Sequence, residues 1–244
     1  MMKSKALKIE EMIKWISKRI LSYILTDKSI KLIVNKRKYF EFKKRLISLD
    51  IKKDTNSIIQ KNKYRKKYIL KKEVIKRIIE EIKKEDNVKS LNEFGIGNPV
   101  INYITLYETI NHKDNHEISI NASHWHTDDT IHARSVKIFQ LIEKITIENG
   151  PFTFISREDT VKNWKRLFFR GRELTIKSKE IMYLSNKESL WVDARSCLHR
   201  AGVPAKNKKR DILMIQVVDK KGEEDIDYLF KQQGLGEPTV IKSR

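Results

Sequence analysis

Ser123-His124-Trp125-His126-Thr127-Asp128-Asp129 sets two imidazoles and a carboxylate at alternate positions. Residues two apart on an extended strand share a face, so His124, His126 and Asp128 project the same way. An imidazole and a carboxylate side by side supply two ligands of a facial metal site. A third imidazole from another strand completes the two-His-one-carboxylate set that suits iron(II) and leaves coordination positions open. Those positions are the point of the arrangement, because a chelating cosubstrate and dioxygen must bind together.

The third ligand is sought downstream. His199 closes the stretch Leu190-Trp191-Val192-Asp193-Ala194-Arg195-Ser196-Cys197-Leu198-His199, read as the end of an apolar strand ahead of a turn at Gly202 to Pro204. Eleven residues on, Arg210 opens the run Ile212 to Val218. A guanidinium there suits a bidentate pair with a carboxylate, which lysine does not reproduce.

Around these motifs the texture is that of a β protein. Short apolar runs, many β-branched or aromatic, occur at Val100 to Tyr107, Ile118 to Ile120, Ser135 to Ile142, Phe152 to Ile155, Glu180 to Leu184 and Leu190 to Val192. Gly, Pro, Asn and Asp bound them, and close-spaced short strands point to a sandwich or barrel. The first 94 residues hold neither Gly nor Pro, which favours helices there. Ile9, Met12, Ile13, Ile16, Ile20 and Ile24 recur at helical spacing, as do Val74, Ile75, Ile78, Ile79 and Ile82. The segment from 31 to 70 is ambiguous, and its run from Lys61 to Lys67 reads as an exposed loop or helix end. We therefore expect a basic, mainly helical flank at 1–94, a β core at 95–220 and a C-terminal tail at 221–244.

The net charge of +20 is unevenly spread. Residues 1 to 90 carry 28 Lys+Arg against 11 Asp+Glu, a net of +17, and residues 91 to 244 carry 24 against 21, a net of +3. Such asymmetry raises nucleic acid, an anionic membrane face or an acidic partner as candidates. Joint richness in Lys, Ile and Asn equally fits a solvated lysine surface. A basic amphipathic helix at 6 to 25 suits peripheral contact with an anionic membrane. No uninterrupted apolar run of roughly 18 residues occurs, so no transmembrane helix is expected. With one cysteine, Cys197, and no visible secretory signal, a cytoplasmic protein is the default.

Taken in order, His124-Trp125-His126-Thr127-Asp128, Val136-Lys137-Ile138-Phe139, Glu148-Asn149-Gly150-Pro151-Phe152, and Asp193-Ala194-Arg195 through His199-Arg200-Ala201-Gly202 with Arg210 behind resemble the phytanoyl-CoA dioxygenase-like family. The resemblance covers roughly residues 95 to 218. It implies a double-stranded β-helix of jelly-roll or cupin type, with Fe(II) held by His126, Asp128 and His199. Arg210 would bind the distal carboxylate of 2-oxoglutarate. Such enzymes use O2 to convert 2-oxoglutarate to succinate and CO2 while hydroxylating a carbon of a second substrate. The carboxylate at Asp128 favours hydroxylation over halogenation, since related halogenases lack that ligand.

The expected substrate is a small, anionic metabolite or cell-envelope precursor. The alternative is the same fold acting on nucleic acid or protein through the basic front third. Candidate substrate contacts are His124 beside the ligands, Lys137 on its strand, Arg195 alternating with His199, and Gln216 in phase with Arg210. Arg195 is equally open to a structural pairing with Asp193. Cys197 reads as a small buried packing residue.

Overall fold

The computed structural model describes residues 42–45, 58–61, 65–68, 70–111, 123–128, 135–170, 176–219 and 239–240. Its strands are β1 (Phe42–Arg45), β2 (Ile58–Lys61), β3 (Arg65–Tyr68), β4 (Pro99–Ile110), β5 (Ser135–Leu141), β6 (Phe152–Phe154), β7 (Ile181–Tyr183), β8 (Ser189–Val192), β9 (His199–Ala201), β10 (Lys209–Asp219) and β11 (Thr239–Val240). The helices are α1 (Lys72–Ile82), α2 (Glu85–Glu93) and α3 (Arg157–Arg170). The strands form a large sheet in the order β1-β8-β5-β10-β4-β3-β2, with β11 also paired to β4, and a three-stranded sheet β7-β6-β9. Every pairing is antiparallel. This is the mainly β, double-stranded β-helix architecture expected from the sequence.

The central strands of the large sheet are covered on both sides, which is why β10 reads Ile-Leu-Met-Ile-Gln-Val-Val without polar alternation. One face of the sheet presents Ile104, Leu106, Ile138, Trp191, Leu213 and Ile215 to the helices. There Ile78 and Ile82 of α1 are fully buried, each contributing roughly 1.5–3 kcal/mol of apolar burial. The other face packs Phe139, Leu141, Leu190 and Ile212 against Phe152, Phe154 and Tyr183 of the small sheet. The site lies between the two sheets, on this second face.

Local chemistry sets the joints. Asn87 donates its side-chain amide to the Glu81 carbonyl at 2.7 Å, closing the end of α1. Gly95, at φ +79°, ends α2 with its N–H on Asn92 O (2.8 Å), and the Ile96 N–H reaches Leu91 O (3.0 Å). That paired closure requires the left-handed conformation glycine tolerates. Past it the chain turns directly into β4.

The front third departs from the expectation. Helix α1 lies where the 74–82 stripe places it, but β1, β2 and β3 are strands of the large sheet rather than helices. The Lys61 to Lys67 run, expected as loop or helix end, supplies the end of β2 and most of β3, paired to β4 from Arg65↔Thr109 to Tyr68↔Leu106. The open edge of β4 decides this, since pairing context outweighs local preference in strands. The helical stripe at 9–24, the run 118–120, Asp129 and most of 221–244 lie outside the described residues. Among the described residues no helix is long and apolar enough to cross a membrane.

Candidate metal centre and its cavity

Two short backbone segments build the centre. His126 and His199 exchange both backbone hydrogen bonds, His126 N to His199 O at 3.0 Å and His199 N to His126 O at 2.9 Å. A directly opposed pair carries its side chains on one face. The two rings accordingly lie 4.4 Å apart, tilted by 55°. His199 opens its own strand rather than ending the preceding one, because the turn at 193–197 separates β8 from β9. The same turn holds the carboxylate ligand: Asp128 N donates to Ala194 O at 3.0 Å.

That turn is itself fixed by α3, which begins at the Arg157 that closes over it. Arg157 donates Nε to Ser196 Oγ at 3.0 Å and reaches Asp193 Oδ2 at 3.4 Å. Leu198 N donates to Thr160 Oγ1 at 2.8 Å. Asp193 also receives the Arg195 backbone N–H at 3.2 Å, with Arg195 Nε 3.5 Å away.

The donor atoms of His126, Asp128 and His199 all lie within 4.8 Å of one another. His126 Nδ1 donates to His124 O at 2.7 Å, and His199 Nδ1 donates to Cys197 O at 3.0 Å. A carbonyl only accepts, so each Nδ1 carries a proton, and Nε2 is the nitrogen left for a metal. Metal-binding imidazoles are commonly oriented in this way. Burial, and then the neighbouring His199 ring, push the His126 imidazole down to about 4, so it is neutral at neutral pH. Burial works to raise the Asp128 carboxyl, but Lys137 and His199 outweigh it and hold the group ionised, below the ordinary carboxylate range. Two imidazoles and one carboxylate fit a divalent cation, with Asp128 Oδ1 3.6 Å from His199 Nε2. Lys137 Nζ lies 2.6 Å from Asp128 Oδ2, an ion pair across the other carboxylate oxygen.

The two histidines open onto a cavity of about 140 Å³. Phe139, Phe152, Ile212 and Met214 give it an apolar wall; Phe152 packs on the His199 ring at 5.4 Å. Its cations are Lys137, Arg210 and Arg65. Arg210 is 3% exposed and donates Nη1 to Gly202 O at 3.1 Å, while its buried Nε has no hydrogen-bond partner. Burial, and then the charge of Arg65, lower it to about 10, so it stays cationic at neutral pH. A buried guanidinium satisfied by one carbonyl is set for an anion.

The structure thus brings together His126, Asp128, His199, Lys137 and Arg210. His124 contributes its carbonyl to His126, and its ring is not part of the cavity wall. Arg195 takes the alternative of pairing with Asp193. Gln216 is in register with Lys137 and on the cavity-facing side of β10, but beyond the wall. Cys197 is fully buried. Missed were Arg65, Tyr107 and Thr109. The signal for two of them was present: Thr105, Tyr107 and Thr109 alternate with Leu106 and Ile104 along β4, marking a cavity-facing row. Arg65 had no local signal.

No family model matches the sequence, and no curated protein does. Solved structures similar in chain path include SnoN, a non-heme alpha ketoglutarate dependent epimerase from nogalamycin biosynthesis, at 11% identity and TM-score 0.41. That match covers 64% of this chain and 62% of SnoN, so the chain spans less than two thirds of its length. SnoN in complex with Fe3+, alpha ketoglutarate and nogalamycin RO matches at 12% identity and TM-score 0.45, covering 74% and 75% of the two chains. HygX from Streptomyces hygroscopicus, with nickel and 2-oxoglutarate bound, matches at 12% identity and TM-score 0.41, covering 65% and 71%.

Proposed function

We propose that this protein is an Fe(II)- and 2-oxoglutarate-dependent oxygenase of the phytanoyl-CoA dioxygenase-like kind, hydroxylating a C–H bond of a small anionic metabolite or cell-envelope precursor in the cytoplasm. The observation that carries the reading is a two-His-one-carboxylate donor set whose two imidazoles open onto the same cavity as the buried cation Arg210. A dicarboxylate with a chelating 2-oxo acid end answers both features at once. The anionic substrate is inferred from Lys137 and the basic strand β3 at the same wall.

Balanced, the reaction divides one O2 between two products. 2-Oxoglutarate loses CO2 and gains one oxygen atom as succinate, while the substrate carbon exchanges C–H for C–OH. His126, Asp128 and His199 would hold the iron, which when bound would supply the activation of O2. The chain's own residues supply the rest. The carbonyls of His124 and Cys197 hold the two Nε2 atoms toward the metal position. Lys137 occupies the outer carboxylate oxygen of Asp128, leaving the other for the metal. Arg210 would hold the far end of the cosubstrate, and Phe139, Phe152, Ile212 and Met214 give the cavity an apolar wall that excludes water.

The test is an anaerobic Fe(II) titration with 2-oxoglutarate, following the weak visible charge-transfer band of the chelate. Wild type is expected to develop the band. His199→Ala is expected to lose it, and Arg210→Ala to need at least about tenfold more 2-oxoglutarate, the loss expected of a charge-assisted contact. A wild type that shows no band with both ligands saturating sinks the oxygenase reading.

A further inference from the structure

The anion end of the cavity holds a second guanidinium, and it comes from the basic front third. Thr109 of β4 pairs with Arg65 of β3 on one side and with Arg210 of β10 on the other. Directly paired residues on adjacent strands share a face, so the three form one cross-strand row. All three line the cavity.

Arg65 is also aimed. Its guanidinium lies over the Tyr107 ring, 4.7 Å from the centroid, two positions along the same face of β4. Burial, opposed by Arg65, pushes the Tyr107 phenol up to about 12, so its hydroxyl stays protonated beside the same space. The carboxylates at the adjoining positions, Glu108 and Asp211, turn to the opposite face. There Glu108 meets Lys66 at 2.6 Å and Asp211 meets Lys209 at 3.5 Å. No carboxylate lines this cavity among the described residues.

Two guanidinium groups converging on one buried space oppose each other unless an anion lies between them. A carboxylate has two oxygens and about four acceptor sites, enough to accept from two arginines and a threonine hydroxyl. We propose that Arg65, with Thr109, joins Arg210 in a two-arginine cradle for the distal carboxylate of the cosubstrate, so that strand β3 of the basic front third is part of the cosubstrate site. This rests on the reading of the cavity as a 2-oxoglutarate site. It gives one stretch of that basic segment a defined anion.

The experiment is calorimetric binding to the Fe(II)-loaded protein under anaerobic conditions. Two ligands are compared: 2-oxoglutarate, and 2-oxovalerate, which has the same chain with a methyl in place of the distal carboxylate. Wild type is expected to bind 2-oxoglutarate more tightly. Arg65→Gln is expected to lose roughly tenfold or more in 2-oxoglutarate affinity while its 2-oxovalerate affinity stays put. Arg65→Lys, which keeps the charge but not the fork, should fall between. Unchanged 2-oxoglutarate affinity in Arg65→Gln overturns the cradle, even if turnover of a substrate suffers, because Arg65 then serves another anion. Equal loss for both ligands also overturns it, as general damage to the cavity. Should Arg65→Gln melt unfolded, Arg65→Lys decides: wild-type affinity counts against the cradle. If wild type itself binds neither ligand, the cosubstrate reading fails, and the cradle with it.

Discussion

The two ends of the cavity are built by different means. The metal end is local: its ligands sit in the short segments 123–128 and 193–199, whose backbones hydrogen-bond directly to each other. Swapping neighbours along those segments would move a ligand, so the residue pattern and the geometry are nearly the same information. The anion end is a matter of register. Arg65, Thr109 and Arg210 come from three strands spread over most of the chain and meet only because β3, β4 and β10 pair as they do. A residue there is functional through its partner strands, which its own neighbours do not announce.

The largest effect should come where the two ends share a support. Gly150 stands at φ +63°, and a Cβ there would meet Val203 C at 2.5 Å, Gly202 O at 2.6 Å and Pro204 N at 2.6 Å. All three are backbone atoms, so none can swing aside. The Gly202 carbonyl is the one that holds Arg210, and it follows directly on β9 with His199. Gly150→Ala is expected to cost about 3 kcal/mol or more, combining the left-handed backbone penalty with overpacking. Urea unfolding measures this. Gly97→Ala is the control, since a Cβ there meets nothing within 4 Å, and its effect should stay within about 0.5 kcal/mol. Equal midpoints for the two variants would show that the 150/202 crossing supports neither end.

A smaller effect should separate the ends. Lys137→Met removes the cation 2.6 Å from Asp128 and leaves that carboxylate largely buried without its counter-charge. The metal-free protein should lose about 2 kcal/mol, because breaking one side of a buried pair strands the other charge. A divalent cation then restores what the lysine supplied. Melting curves with and without Ni(II) should therefore show a larger metal-induced rise for Lys137→Met than for wild type. An equal rise would mean that Lys137 is not the counter-charge the metal end relies on.

What the sequence made legible follows the same division. His126, Asp128 and His199 stand in local motifs, and the strands β4, β5, β6, β7, β8 and β10 each show as an apolar run. Arg210 was legible because it follows His199 at a recognisable spacing. Arg65 was not: Arg-Lys-Lys-Tyr has no apolar alternation, and only the vacant edge of β4 makes it a strand. Arg195 and Gln216 were read from alternation alone. The turn at 193–197 turns Arg195 onto Asp193, and the wall of the cavity ends short of Gln216.

The smallest effect concerns protons at the metal end. The His126 imidazole titrates at about 4 in the folded protein, against about 6.5 when unperturbed. Between those values the unfolded chain takes up a proton at this position and the folded chain does not. Unfolding is then favoured by acid, so stability is complete above about 6.5 and is lost as pH falls toward 4. The slope from one such group is at most about 1.4 kcal/mol per pH unit. Asp128, held below its ordinary range, adds loss in the same direction only at more acid pH. Arg210, lowered only to about 10, keeps its charge throughout this window and adds no slope. Urea midpoints of metal-free protein at pH 7, 6 and 5 should therefore decline for wild type and decline less for His126→Gln. Parallel declines would place the acid sensitivity elsewhere in the chain and leave His126 an ordinary, hydrated imidazole rather than one held neutral for a metal.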